Sequence, residues 1–227
     1  MSATTPPLPP IALSVVSHGH GAMVQHLLGS LAQQASEGAG VSRVVLTLNL
    51  PEPEPLAPAG GWPFVLQLRH NSEPQGFSAN HNAALADASE PLVCVINPDV
   101  DLSGGNPFPA LLRAVQRQGV GLAYPMQVDE YGQLQDSERE LPTPWSLLRR
   151  YAVKRRETRA EWVNGAMWLL PTPVWQGIGG LNTAYFMYCE DVELCLRLRL
   201  AGWTLARADA VVGHAGQRAS HRRAGHA

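Results

Sequence analysis

The chain has 227 residues, 45% of them hydrophobic and 16% charged, which is enough apolar material for one substantial domain or two small ones and argues against extensive disorder. Its formal net charge of −2 disfavours a nucleic-acid binder, whose surface is ordinarily basic. Cys94, Cys189 and Cys195 form no CxxC pair, so they suit neither a disulfide framework nor a zinc site, and their apolar flanks predict buried free thiols in a reducing, cytoplasmic compartment.

No stretch approaches the roughly 18 consecutive apolar residues of a membrane span. Residues 1–10 are rich in Pro and Thr without a basic region, and read as a flexible leader rather than a secretory signal. Residues 11–16 are an apolar run ending at Ser17-His18-Gly19-His20-Gly21, which predicts a buried strand entering a glycine-bearing loop. Met23, Leu27, Leu28 and Leu31 then recur at helical spacing. Strands are predicted over 41–50, closed by the prolines between Pro51 and Pro58, over 64–68, and over 92–96, which stops at Asn97-Pro98-Asp99. Between the last two, residues 71–82 form a polar loop leading into a helix over 83–88, and a further helix covers 109–118. This strand–helix alternation predicts an α/β fold with parallel strands, whose ligands bind outside the carboxyl ends. Ser17-His18, Asn49 and Asn97-Pro98-Asp99 all fall there.

The second half is less regular. A strand is expected over 120–126, and a long charged and Pro-bearing excursion or lid over 129–159. A strand over 162–170 has Asn164-Gly165 inside it, and a short helix over 171–175 follows. Tyr185-Phe186-Met187-Tyr188-Cys189 then runs into Glu190, Asp191 and Glu193. The acids would sit at the start of a helix whose apolar face is Val192, Cys195, Leu196 and Leu200, and Gly202 would close it. A last strand covers 205–212, and a basic tail, 219–227, contains His221, Arg222 and Arg223.

Four groups of residues carry chemistry. A carboxylate at the rim of an apolar pocket, as at Asp191 with Glu190 beside it, suits a general base. Asn97, Asp99 and Asp101 supply oxygen ligands for a hard cation such as Mg²⁺ or Mn²⁺ beside a diphosphate, and His214 after the last strand is a further candidate ligand. Asn71, Gly76, Phe77 and Asn80 gather polar groups around a glycine that permits close approach of a ligand. Trp162, Asn164 and Gly165 combine an indole that stacks on a sugar with small residues that make room for one. Each group also has a plainer reading: Asp99 as a turn cap, Ser78 as a helix cap, Gly165 as a bulge, His214 as a surface histidine, the acids as a helix start.

Taken in order, Val-Ser-His at the first strand end, Asn71-x-x-x-x-Gly76-Phe77-Ser78-x-Asn80-x-Asn82, Ile96-Asn97-Pro98-Asp99-Val100, Trp162-Val163-Asn164-Gly165-Ala166 and Glu190-Asp191-Val192-Glu193-Leu194-Cys195-Leu196-Arg197 resemble glycosyltransferase family 2, in particular its bacterial rhamnosyltransferase-like branch. The resemblance implies a GT-A fold over residues 11–218: a Rossmann-like, mostly parallel sheet with helices on both faces, a nucleotide-sugar-binding half (11–105) and a smaller acceptor-side, catalytic half (106–218). It implies inverting transfer of a sugar, such as the deoxysugar rhamnose, from a nucleotide-sugar donor to a saccharide or lipid-linked acceptor, with Mg²⁺ or Mn²⁺. Asp191 then matches the family's base, and Glu190 and Glu193 would position the base or the acceptor. Asn97-Pro98-Asp99 matches its Asp-x-Asp motif with Asn in place of the first acid, so that Asp99 holds the metal. Ser17, His18 and Asn49 match contacts to base and ribose, and Asn71 and Asn80 match contacts to the nucleotide-sugar. The chain departs from the family at Leu48-Asn49-Leu50-Pro51, where Asp-Asn-x-Ser is usual. The basic tail is a candidate for peripheral contact with the inner face of a membrane. Two alternatives stand beside this reading. A nucleotidyltransferase is disfavoured by the lack of Lys or Arg in the 17–21 loop. A degenerate, non-catalytic sugar-binding module would fit the missing first acid.

Overall fold

The computed structural model describes residues 8–139 and 160–214. Residues 1–7 of the leader, 140–159 of the expected lid and the basic tail lie outside the described residues. Among the described residues ten strands form: β1 (Ile11–Ser17), β2 (Val41–Leu48), β3 (Val65–His70), β4 (Leu92–Ile96), β5 (Val100–Asp101), β6 (Val120–Val128), β7 (Glu138–Arg139), β8 (Trp162–Val163), β9 (Met167–Pro171) and β10 (Thr204–His214). The described helices are α1 (Gly21–Ser36), α2 (Phe77–Leu85), α3 (Phe108–Val115), α4 (Thr172–Gly177) and α5 (Glu190–Leu200).

Eight strands make one sheet in the order β3-β2-β1-β4-β9-β6-β10-β5. Pairing is parallel from β3 through β4 and between β6 and β10; β9 runs antiparallel to both β4 and β6, and β5 to β10. The order reverses beside β1: the chain builds outward to β2 and β3, then returns to lay β4 on the other side. Such a switch point opens a crevice at the carboxyl ends.

Side chains alternate across each strand, so the sheet buries two layers. Ile11, Leu13 and Val15 join α1 (Leu27, Leu28, Leu31) and α3 (Phe108, Leu111) on one face. Ala12, Val93, Val95, Trp168 and Leu170 join α2 (Leu85), α4 (Trp175) and α5 (Leu194, Leu198) on the other. Each fully buried Leu or Phe contributes about 1.5–3 kcal/mol, so these layers hold the strand ends in place.

Several expectations are corrected. The run 162–170 is not one strand: β8 pairs with β7 in a separate two-stranded sheet, β9 enters the main sheet, and Asn164-Gly165 is the crossing between them rather than a bulge. Helix α2 begins at Phe77, and among the described residues no side chain caps it and the buried Ser78 hydroxyl has no partner. Helix α5 buries Leu194, Cys195 and Leu198, whereas Leu196 and Leu200 are exposed. Leucines at 194, 196, 198 and 200 leave the face ambiguous, and packing on β8 and the sheet decides it. Cys94 and Cys195 are buried as expected, but Cys189 is exposed. The short strands β5 and β7 have no apolar signature of their own.

Beneath α2, the His81 ring is fully buried, with Nδ1 2.7 Å from the Ser14 hydroxyl and its edge against Phe77. Burial pushes this imidazole down from 6.5 to about 3. Because the folded pKa lies below the unfolded one, the unfolded chain takes up the proton first. The contribution is therefore complete above about pH 6.5 and declines as pH falls towards 3. Between about pH 6 and pH 4.5, denaturant titrations should show the parent losing about 1.4 kcal/mol per pH unit more than His81→Gln. Equal slopes would mean that His81 is not buried neutral.

Candidate active site

The carboxyl end of β4 turns sharply. The Asn97 N–H donates to the Ala166 carbonyl at 2.8 Å and the Asn97 carbonyl accepts from Val100 N–H at 3.2 Å, which sets Asp99 at the crest of the turn. The chain then enters β5, where Val100 pairs with His214 at the end of β10. That pairing brings the His214 Nε2 to 3.4 Å from the Asp99 Oδ2, both side chains being largely buried. Gln135 holds the histidine from behind: its Oε1 lies 3.2 Å from Nδ1, and its amide donates to the His214 carbonyl at 2.6 Å. An imidazole fixed through its second nitrogen presents the first in a defined direction.

Asp101, one residue along β5 from Val100, is engaged elsewhere. Its carboxylate accepts from the Ser103 N–H (2.9 Å) and hydroxyl (2.8 Å) and faces His26 of α1 at 3.3 Å. Among the described residues no cluster of three or more His, Cys, Asp or Glu side chains could hold a metal ion. Asp99 and His214 are left as a facing pair of side chains, one carboxylate and one imidazole. One carboxylate and one imidazole still fit Mg²⁺ or Mn²⁺, because such ions are commonly shared between a few side chains and substrate phosphates.

The expected donor contacts are largely occupied by one another. Ser17 is buried, its hydroxyl accepting from the His20 N–H at 3.1 Å. His18 Nδ1 lies 3.0 Å from the Asn49 amide. Asn49, Asn71 and Asn80 form one network that grips the Gln75 backbone. Gly76 is closely approached, not by open space for a ligand but by the chain itself: a Cβ there would lie 2.6 Å from the Phe186 carbonyl oxygen.

On the far side of the crevice, Tyr188 and Cys189 both adopt left-handed conformations (φ 72° and 71°) and turn the chain into α5. Two adjacent non-glycine residues in that region are strained, at a cost of about 1–3 kcal/mol each. Glu190 is buried, with Oε2 unpaired among the described residues. Burial raises its pKa, and the neighbouring Asp191 adds to the effect. Asp191 accepts the Val192 N–H at 2.8 Å, and burial raises its carboxyl above the usual range against the opposing pull of Arg139. Glu193 is bound by Arg197, which also donates to the carbonyls of Ile178 and Gly180 and so anchors α5.

Between these two sides runs the Asn164–Ala166 crossing. Asn164 exchanges amide hydrogen bonds with Gln127, Ala166 accepts from Asn97, and Gly165 packs beside Trp168 and Phe77. Val163 accepts a weak contact from Cys195 of α5. The Trp162 ring carries the Arg139 guanidinium 5.6 Å from its centroid, so that face is already covered. Gln135, Gln127 and Arg139 had no motif to mark them; they come from the irregular 127–139 region.

No family model matches the chain. Curated relatives include an N-acetylglucosaminyl-diphospho-decaprenol L-rhamnosyltransferase of Mycobacterium tuberculosis, 32% identical over 140 residues (52% of this chain, 45% of the relative). The rhamnosyltransferase WbbL of Escherichia coli is 26% identical over 146 residues (56% of this chain, 55% of the relative). The chain thus spans about half the length of the curated relatives it matches. Similar folds include the mannosyltransferase PcManGT of Pyrobaculum calidifontis in complex with GDP-Man and Mn²⁺ (TM-score 0.66, 14% identity, 96% of this chain and 62% of that one). The Staphylococcus aureus TarS fragment 1–349 is another (TM-score 0.63, 12% identity, 90% of this chain and 60% of that one). At these identities the structural likeness speaks for the fold. The chain thus has the GT-A fold of these glycosyltransferases, and over about half its length it is similar in sequence to curated rhamnosyltransferases.

Proposed function

We propose that the protein is an inverting glycosyltransferase that moves a sugar of the rhamnose class from a nucleoside-diphosphate donor to a hydroxyl of a lipid-linked saccharide. The observation that carries this is the Asp99–His214 pair at the switch-point edge, 3.4 Å apart and backed by Gln135. The diphospho-decaprenol acceptor named for the Mycobacterium tuberculosis relative and the Mn²⁺ bound by a protein of similar fold support the same reading. Asp99 and His214 would hold Mg²⁺ or Mn²⁺, which supplies positive charge against the diphosphate.

In the transfer, Asp191 accepts the proton of the acceptor hydroxyl. The acceptor oxygen forms its bond to the anomeric carbon from the face opposite the donor, the carbon–phosphate-oxygen bond breaks, and the nucleoside diphosphate leaves with the electron pair. Burial makes Asp191 a stronger base than an exposed aspartate. Glu190 behind it shapes the same pocket. Among the described residues no helix is long and apolar enough to cross a membrane. A lipid-linked acceptor would then be met at the membrane surface, with the basic tail as a further contact.

Asp191→Asn should lower kcat by about 10²–10⁴-fold and leave metal-dependent nucleotide binding in place. In the parent, kcat should fall on acidification with a midpoint above the ordinary aspartate value of about 3.9, because the active form is the ionised one. Parent-like transfer by the variant would remove Asp191 from the mechanism.

Calorimetric titration of UDP, GDP and dTDP with and without Mn²⁺ tests the other side. Asp99→Ala should abolish the metal-dependent component, and Gln135→Ala should weaken Mn²⁺ affinity by about 10–100-fold. A sugar-binding module without catalysis would show no metal-dependent nucleotide binding in the parent.

A further inference from the structure

We propose that Asn49, Asn71, Asn80 and Gly76 are positioning residues that set the loop carrying Asp191, rather than contacts to the donor. The proposal rests on Asp191 being the base of the transfer described above.

The valences of the three amides show where their binding capacity goes. The Asn71 amide donates to both Asn49 Oδ1 and Asn80 Oδ1, each at 2.7 Å, and has no hydrogen left. Asn49 Oδ1 accepts a second bond from Gln75 N–H at 2.8 Å, filling both lone pairs. The Asn49 and Asn80 amides both reach the Gln75 carbonyl, at 3.0 and 3.1 Å. The remaining Asn49 hydrogen meets His18. The Asn49 side chain and the Asn71 amide group are thus fully engaged, and the network they build with Asn80 holds the peptide of Gln75.

Gly76 follows directly. The Phe77 N–H, an otherwise unpartnered donor at the start of α2, donates to the Phe186 carbonyl at 2.9 Å. A side chain at Gly76 would collide with that loop, its Cβ lying 2.6 Å from the Phe186 oxygen and 2.9 Å from its Cα. The loop has little else to define it by packing: Phe186 and Tyr188 are 63% and 59% exposed. Yet it holds two consecutive left-handed residues immediately before Glu190 and Asp191. Strained conformations persist only where the surroundings impose them. Here the imposing contact is backbone to backbone, and the asparagine network supplies its rigidity from the ends of β2 and β3.

Cys189 offers a reporter inside the loop, since it is exposed while Cys94 and Cys195 are buried. In the full chain, thiol labelling of Cys189 should change several-fold in Gly76→Ala and in Asn71→Leu, which keeps the branched shape but cannot donate. Cys94 and Cys195 should stay unreactive, reporting an intact fold. In both variants kcat should fall by up to about 100-fold, as for a misplaced catalytic group, with the acid limb of its pH profile moving down as Asp191 loses burial. Parent-like labelling and parent-like kcat with weakened nucleotide binding would overturn the proposal and return these residues to the donor site. If the parent transfers no sugar, the functional reading fails, while the labelling still decides whether the network sets the loop.

Discussion

The antiparallel strand β9 is the constraint on which the rest of the molecule depends. It lies between β4 and β6 and joins the two parallel parts of the sheet. Trp168 and Leu169 at its centre are fully buried, one in each core layer. Without it, β4 and β10 would belong to separate sheets, and Asp99 would have no reason to meet His214. The short β5–β10 pairing then sets the final distance, because it matches Val100 with His214. A contact between residues 115 positions apart in sequence is thus the product of two strand registers.

The same edge of the sheet concentrates the unfavourable terms of the fold. Tyr188 and Cys189 are strained, Glu190 has a buried oxygen without a partner among the described residues, and Asp191 is desolvated. A carboxylate in bulk water would be cheaper to fold but weaker as a base. The cost is offset by the packed layers on either side of the sheet and by Arg197, which binds Glu193 and the Gly180 turn together. Stability and proton affinity are traded within about ten residues of chain.

Polar residues near the crevice divide into two groups that composition alone does not separate. Asp99 and His214 face each other at the edge of the sheet, whereas the Asn49 side chain, the Asn71 amide group, Asp101 and Glu193 are engaged by other neighbours. Counting donors and acceptors, rather than proximity to the crevice, distinguishes a group available to a ligand from one that shapes the site.

The layout of strands β1, β2, β4 and helix α1, the strand–helix alternation and the polar stops at Ser17 and Asn97 were legible in the residues, because a buried strand or an amphipathic helix is declared by spacing within a few positions. The ordered motifs also pointed to the GT-A fold. The split of 162–170 into β8 and β9, the face of α5, the exposure of Cys189 and the partners of Asn71 and Asp101 were not legible. Each of these is decided by what stands opposite in space: a strand from another part of the sheet, an asparagine at the end of β2, a histidine on α1. Local periodicity states that a side chain is polar or apolar. Only the register of distant elements states which hydrogen bonds it has left to give.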